Sequence, residues 1–327
     1  MTKPRLYLYP IYMNDVPPHY TLQRAFERHF DCFTFDWVNL AKANGLPETQ
    51  RLFLQLLQSD KPEYTFMQLQ NPDNMSVETI REMAQYTKII NWTGDVRHDT
   101  PWYDWLVAIG KEIYLTLICN REQPQILRDM GIRADYLQVG YDSGWYYDED
   151  KYVISLVHKE TPEIVYCANN NNHYPLAKLR QDAVMALTEQ FPDKFKVYGS
   201  GWESLGIKTV FVDNKTEATL YRNAKIALSI SNYSINSYWS DRLPRIMACG
   251  GAVALSHEFP GMYDHFLDGV QLYSFHDIPE MINICHAIME RRLEINSVSY
   301  HACKLALNEH TWDARCKELI GLLEKYR

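Results

Sequence analysis

Along most of the chain, short runs of β-branched and aromatic residues alternate with stretches whose apolar positions recur every three to four residues. The runs Arg5–Tyr12, Cys32–Trp37, Tyr64–Leu69, Lys88–Trp92, Ile113–Leu117 and Ala134–Val139 are predicted as strands. Helical spacing falls between them at Leu22–His29, Glu48–Ser59 and Val77–Tyr86. Strands alternating with helices build a parallel sheet covered on both faces. The rhythm stumbles over Tyr141–Glu163, a stretch rich in Tyr, Asp, Glu and Lys, which places a domain junction there. A second series follows, with strands at Ile164–Ala168, Phe195–Tyr198, Thr209–Val212, Ile226–Ser231, Ala252–Ser256 and Val270–Ser274. Its helices are Pro175–Gln190, Glu217–Asn223, Arg242–Ala248, Pro279–Glu290 and Ser297–His310. A last helix, Trp312–Tyr326, has apolar spacing at Leu319, Leu322 and Leu323. The pattern predicts an α/β protein of two Rossmann-like domains, residues 1–150 and 151–327, facing each other across a cleft, with the last helix able to pack back on the first domain. Open α/β sheets bind ligands at the carboxyl ends of their strands, so the loops that follow strands are where chemistry is sought.

Composition agrees with two globular domains. The chain has 327 residues, 46% hydrophobic and 23% charged, too long for one ordinary core and too apolar for a disordered chain. Its formal net charge is −8 and its pI is near 5.8, so it lacks the basic footprint of sequence-independent adhesion to nucleic acid. The acidity is uneven. Residues 1–150 carry 14 basic and 21 acidic side chains, net −7, whereas residues 151–327 carry 19 and 20, net −1. A polyanion would have to use a local patch. The seven cysteines are scattered without the short spacing of a zinc or redox motif and read as reduced thiols in a cytoplasm. The opening MTKPRLYLYPIY has neither a long apolar run nor a cleavage site, and no window approaches about 20 uninterrupted apolar residues, so neither a signal peptide nor a membrane span is expected.

The common chemistry-bearing motifs are absent. The first strand is followed by PIYMNDVPPHY rather than GxGxxG, which weakens a nicotinamide oxidoreductase reading; there is no GxxxxGK[ST], GxSxG or HExxH. Four constellations remain, all after strands. In Asn91-Trp92-Thr93-Gly94-Asp95-Val96-Arg97, Asp95 is a candidate general base, or else a helix cap or a partner of Arg97. The run Asn169 to Asn172, then His173 and Pro175, leads into a helix whose start attracts phosphate, with Lys178 and Arg180 adding charge; an Asn-rich turn with solvated charges explains it as well. The paired Gly199 and Gly201 let a ligand approach the backbone, though a simple turn would need them too.

The fourth constellation joins Ser231-Asn232 to Ser240-Asp241-Arg242 and a Gly250-Gly251 stop. Asp241 or Ser240 is a plausible N-cap. A cation in the first helical turn opposes the helix dipole, so Arg242 suggests an anion, such as a diphosphate, brought to that helix end. Arg245, one turn on, is placed to pair with Asp241. His19, with Asn14 and Asp15 in the loop after the first strand, is a second acid–base candidate. Loop tyrosines Tyr141, Tyr146, Tyr147, Tyr233 and Tyr238 are candidates to stack on a sugar or base, whereas most of the 23 tyrosines read as packing.

The stretch from Ser240 to Gly251, SDRLPRIMACGG, resembles the donor-site motif of GT-B glycosyltransferases, in particular the CgeB-like (spore-maturation-protein) group. The later Glu258-Phe259-Pro260-Gly261-Met262 turn, the Asp268-Gly269-Val270 step and His310-Thr311-Trp312-Asp313-Ala314-Arg315 resemble that group in the same order, over most of residues 160–327. In the amino-terminal half Asn91–Arg97, Gly131-Ile132 and Gly140-Tyr141-Asp142 are less sharply similar. More distantly, the chain resembles the DNA β-glucosyltransferase of T-even phages, with Asp95 matching that enzyme's catalytic base and Arg242 the arginine on its sugar-nucleotide diphosphate. One departure is Arg245, which stands where the family usually has a ribose-binding Glu.

The resemblance implies a carboxy-terminal donor domain holding a nucleotide diphosphate sugar, most readily a UDP-sugar, as co-substrate with no tightly bound cofactor and no metal. Arg242, Ser240, the Ser231-Asn232 turn, Asn170, Lys178, Gly199 and Gly201 would form the donor site. Asp95, with His19, would serve an acceptor hydroxyl in an amino-terminal domain where Asn14, Asp15 and Arg97 line the cleft. The acceptor stays open between a surface glycan or small molecule and a hydroxymethylpyrimidine of phage DNA, with the net −7 of the first half favouring the former. A non-catalytic, two-lobed sugar-nucleotide-binding protein is the alternative.

Overall fold

The computed structural model describes residues 3–11, 20–94, 102–147 and 162–327. The chain divides into two units, Met1–Gly140 with Trp312–Arg327, and Tyr141–Thr311.

The first unit is built on β1 (Arg5–Tyr9), α1 (Tyr20–His29), β2 (Asp31–Thr34), α2 (Trp37–Asn44), α3 (Leu46–Asp60), β3 (Tyr64–Met67), α4 (Val77–Met83), β4 (Lys88–Thr93), α5 (Tyr103–Gly110), β5 (Leu115–Ile118), α6 (Gln123–Asp129) and β6 (Ala134–Tyr136). Its six strands are parallel in the order β2-β1-β3-β4-β5-β6. Central strands read as unbroken apolar runs because both faces are covered: every residue of β3 and β5 is buried, whereas edge strand β2 alternates. Strand order reverses between β1 and β3, so a crevice opens at their carboxyl ends. Asp36 ends the expected Cys32–Trp37 strand early, because its carboxylate accepts from Asn39 N–H and caps α2 at Trp37.

The second unit contains α7 (Ser143–Tyr146), β7 (Ile164–Cys167), α8 (Ala177–Gln190), β8 (Phe195–Tyr198), α9 (Asn214–Asn223), β9 (Ile226–Ser229), α10 (Arg242–Cys249), β10 (Val253–His257), β11 (Tyr273–Phe275), α11 (Ile278–Met289) and α12 (Asn296–Glu309). Its five parallel strands run β11-β10-β9-β7-β8. Counted within the unit this is the order 2-1-3-4-5, with the reversal between β7 and β9. The expected strand at Thr209–Val212 is an irregular segment. The Val210 carbonyl accepts from Gly199 N–H, but Val210 and Phe211 stay 57% and 74% exposed. Only Val212 of this run packs on the core, and without a ladder a β-prone run does not become a strand.

The last helix, α13 (Trp312–Lys325), belongs to the first unit. Trp312 is buried edge-on to Trp92, their rings 5.7 Å apart, and Gly140 admits it, since a Cβ there would sit 2.7 Å from its ring. Lys325 bonds Asp135 at 2.6 Å, and Tyr114 O–H donates to the carbonyl of Tyr326. Among the described residues no helix is long and apolar enough to cross a membrane.

Candidate functional site

The carboxyl edge of the second sheet, at its reversal, is organised around Tyr166. This tyrosine lies in β7, fully buried, and two guanidinium groups flank its ring, Arg242 at 5.3 Å and Arg180 at 6.0 Å. Arg242 opens α10. Its Nε donates to the carbonyl of Cys167 at 2.7 Å and its Nη1 to that of Ile230 at 3.2 Å, so it ties the end of β7 to the segment after β9. Nη1 also reaches the Ser240 hydroxyl at 3.3 Å. The strand-end carbonyls offset the unfavourable placement of a cation at a helix start. The third nitrogen, Nη2, has no protein partner among the described residues.

Arg180 is 2% exposed. Its Nε donates to the Tyr166 hydroxyl at 2.9 Å, its Nη1 to Asn232 Oδ1 at 2.7 Å and its Nη2 to the carbonyl of Asn169. It therefore sets the loop after β7 against the loop after β9. Neither arginine makes a salt bridge to a described residue. Arg242 feels the Asp241 and Glu217 carboxylates only at longer range, and the direct contacts of both guanidinium groups are to carbonyls, hydroxyls and a carboxamide, an arrangement open to an anion. The helix starts alongside add to this: neither α8 nor α10 has a side chain capping its first N–H groups. The Ser231 hydroxyl accepts from Ser240 N–H at 3.2 Å, which closes the 231–241 loop.

Several residues singled out by sequence make contacts within the second unit. Lys178 points along the exposed face of α8 and pairs with Asp182 at 2.5 Å, so Arg180 is the inward cation of that turn. Asn170 is scaffold: its N–H bonds the Ser200 carbonyl, its amide donates to the Gly201 carbonyl at 3.0 Å, and Gln181 holds its oxygen. Gly199 (φ 125°) and Gly201 (φ 85°) are required by the chain itself, because a Cβ would collide with the carbonyl oxygens of Ala168 and Asn170 respectively. Tyr141, Tyr146, Tyr233 and Tyr238 are buried packing groups with no face free to stack.

A second polar network lies behind α10. Arg245 pairs with Asp241 at 2.5 Å and with Glu217 at 3.5 Å, and sits over the Tyr146 ring. Glu217 also accepts from Tyr146 at 2.9 Å and Tyr221 at 2.7 Å. Burial, with the neighbouring carboxylates, pushes the Tyr146 phenol well above its ordinary range despite the opposing pull of Arg245. Asp241 thus serves Arg245 rather than the helix start, where it makes no side-chain cap. Tyr166 and Glu217 carry no motif; a tyrosine inside a wholly apolar strand was the available signal.

At the carboxyl edge of the first sheet, carboxamides do the joining. Gln68 Oε1 accepts from Ile11 N–H at 3.0 Å across the β1–β3 reversal, and the Asn91 amide brackets Leu69 at 2.9 and 3.2 Å. Gln70 accepts from the Thr93 hydroxyl at 2.9 Å and from Gly94 N–H at 3.0 Å. Asn14, Asp15, His19, Asp95 and Arg97 lie outside the described residues.

Residues 178–321 match a family model described as glycosyl transferase-like. No curated protein matches the sequence. Solved structures do match over nearly the whole chain. HepE from Anabaena, in complex with UDP-glucose, is 12% identical with a TM-score of 0.63, covering 98% of this chain and 100% of its own. Sucrose-phosphate synthase from Thermosynechococcus elongatus is 9% identical at a TM-score of 0.63, covering 98% of each chain. A glycosyltransferase from Rickettsia africae is 10% identical at 0.62, covering 99% of this chain and 98% of its own. At such identities the likeness defines the fold, which is the GT-B arrangement of two Rossmann-like domains.

Proposed function

We propose that this protein is a glycosyltransferase that moves a hexosyl group from a UDP-sugar, UDP-glucose in the first instance, to an acceptor hydroxyl. One observation carries the reading: Arg180 and Arg242, both within the residues that match a glycosyl transferase-like family, lie 6.0 and 5.3 Å from the Tyr166 ring at the reversal of the second sheet, and neither makes a salt bridge to a described residue. The family match and the UDP-glucose complex of HepE support it.

In this reading the diphosphate lies over the starts of α8 and α10. Arg242 Nη2, which bonds no described residue, meets the phosphate oxygens directly. Arg180, already fully engaged, contributes charge and holds the two loops in register. As the bond from the anomeric carbon to the diphosphate breaks, negative charge builds on the leaving oxygen, and donors already fixed by strand carbonyls need no reorganisation to meet it. Asp95 takes the proton of the attacking hydroxyl on the opposite face of the sugar, which inverts the anomeric centre. The acceptor is a neutral hydroxyl compound, a glycan or small molecule, because residues 1–150 carry a net charge of −7 that repels a nucleic acid. A CgeB-like affiliation fits such an acceptor.

UDP release from UDP-glucose tests the reading. The wild type is expected to release UDP, and Asp95→Asn to do so about 100- to 10,000-fold more slowly with the donor still bound, as loss of a general base requires. Binding of UDP-glucose with no release by the wild type, with or without simple hydroxyl acceptors, would reduce the protein to a sugar-nucleotide binder. Equal rates in wild type and variant would remove Asp95 as the base.

A further inference from the structure

Tyr166 lies within β7, between Val165 and Cys167, and is fully buried. Its ring is fixed edge-on against Trp202, with centroids 6.1 Å apart, and the Trp202 indole N–H is itself held by the carbonyl of Ala168 at 2.6 Å. A phenylalanine ring would fill the same space, so packing does not call for the hydroxyl. A buried phenol needs hydrogen-bond partners, and this one has two. Arg180 Nε lies 2.9 Å from the hydroxyl oxygen and the Ile230 carbonyl 3.3 Å from it. A guanidinium can only donate, so the hydroxyl oxygen accepts from Arg180 and its proton goes to the Ile230 carbonyl. That carbonyl takes a second bond from Arg242 Nη1 at 3.2 Å, which occupies both of its lone pairs. A continuous chain of hydrogen bonds therefore runs from Arg180 through Tyr166 and Ile230 to Arg242. The charge on Arg180 polarises the hydroxyl and strengthens its donation to Ile230.

The backbone explains why side chains are used at this point. β7 pairs with β8 as far as Cys167 opposite Tyr198, and β9 pairs with β10 as far as Ser229 opposite Ser256. Between β7 and β9 the pairing covers only Ile164 opposite Ile226 and Val165 opposite Ala227. Past Val165 each strand stays with its outer neighbour, the opening that a reversal of strand order creates. No ladder with β7 therefore sets the Ile230 carbonyl. The Tyr166 hydroxyl holds it from the β7 side, and Arg242 bonds it together with the carbonyl of Cys167. The direction of the planar guanidinium, Nη2 included, follows from those two anchors. We infer that Tyr166 is a positioning residue for Arg242, acting through the Ile230 carbonyl, and that its hydroxyl sets the affinity of the site for a diphosphate without touching the ligand. The inference deepens the reading of Arg242 as a phosphate contact and rests on it.

The experiment measures UDP affinity by titration calorimetry and uridine affinity by ligand-observed NMR, for the full chain and for Tyr166→Phe, Arg242→Ala and the double variant. Tyr166→Phe is expected to weaken UDP about 10- to 100-fold, the worth of one hydrogen bond to a charged group, and to leave uridine unchanged. Arg242→Ala should weaken UDP at least as much. Adding Tyr166→Phe to it should cost nothing more, because a residue that acts through Arg242 then has nothing to act on. Unchanged UDP affinity in Tyr166→Phe beside a loss in Arg242→Ala would overturn the inference and leave the phosphate reading of Arg242 standing. Equal weakening of UDP and uridine would assign Tyr166 to general packing, and additive losses in the double variant would separate it from Arg242; either result overturns the inference. Unchanged UDP affinity in Arg242→Ala, or a wild type that binds no UDP, would overturn both. If Tyr166→Phe melts below the assay temperature, Arg180→Lys carries the same test. It keeps the cation, but an ammonium cannot hold the Tyr166 hydroxyl, Asn232 and the Asn169 carbonyl together as the guanidinium does. The same selective loss of UDP, again absent from the Arg242→Ala background, is expected there, and an unselective or additive loss overturns the inference.

Discussion

At the scale of single residues, the proposed donor site turns on how two arginines are held. Arg242 is anchored by two strand-end carbonyls, at 2.7 and 3.2 Å, and its Nη2 bonds no described residue. Arg242→Ala should therefore lower kcat for UDP release about 100- to 1,000-fold, the loss of one preorganised donor at the developing charge. Arg242→Lys should not restore it, because a single ammonium cannot span both carbonyls and still face a phosphate. Steady-state kinetics on the two variants, with melting temperatures to confirm folding, checks this. Arg242 was legible in the sequence because a cation in the first turn of a helix breaks a local rule. Arg180 was only half legible, as its neighbour Lys178 is the same kind of residue two positions away. Which of the two turns inward depends on the packing of α8, which buries Ala177, Arg180, Ala183 and Val184 on one face and leaves Lys178 to Asp182.

At the scale of elements, the strand–loop–helix order was readable throughout, and the boundaries moved where a side chain captured the backbone. Asp36 converted the end of a predicted strand into a helix cap, and the run Thr209–Val212 had the composition of a strand but found no ladder. The last helix shows the electrostatics of placement. Partial burial alone would raise the Asp313 carboxyl, but hydrogen bonds from Arg28, His29 and Lys317 outweigh it and hold it at about 2. Its folded value lies below the ordinary 3.8, so the stability it contributes is present above pH 4 and is lost as pH falls through 2. The partners are half-exposed at Arg28 and two-thirds exposed at Lys317. Asp313→Asn should accordingly cost only about 1 kcal/mol at pH 7, and wild type and variant should converge in melting temperature near pH 2. A penalty that persists undiminished at pH 2 would assign the loss to packing of α13 on α1 instead of charge.

At the scale of the whole molecule, charge is divided unevenly along the chain. The first 150 residues are net −7 and the remainder net −1. Saturating UDP, at one hundred times its Kd, should stabilise the protein by about 2.7 kcal/mol, seen as a rise in melting temperature. Oligonucleotides containing hydroxymethylated pyrimidines should neither be glucosylated nor shift that melting temperature at 0.15 M salt, roughly the ionic strength at which nonspecific affinity is already weak. Transfer to the modified strand would show that a local patch overrides the overall charge. The sequence by itself determined the alternation of strand and helix, hence two doubly wound sheets, because burial on both faces leaves an unbroken apolar run in each central strand. It also marked the strand-end loops as the place for chemistry. The tertiary structure alone decided which side chains meet there. Tyr166 meets both Arg180 and Arg242, which are 14 and 76 positions away along the chain, because β7 and β9 are neighbours at the point where strand order reverses. Gln70 reaches Gly94 for the same reason, since β3 lies beside β4. Periodicity reports which face of an element is buried, and contacts across a sheet edge depend on strand order and register, which no local pattern encodes.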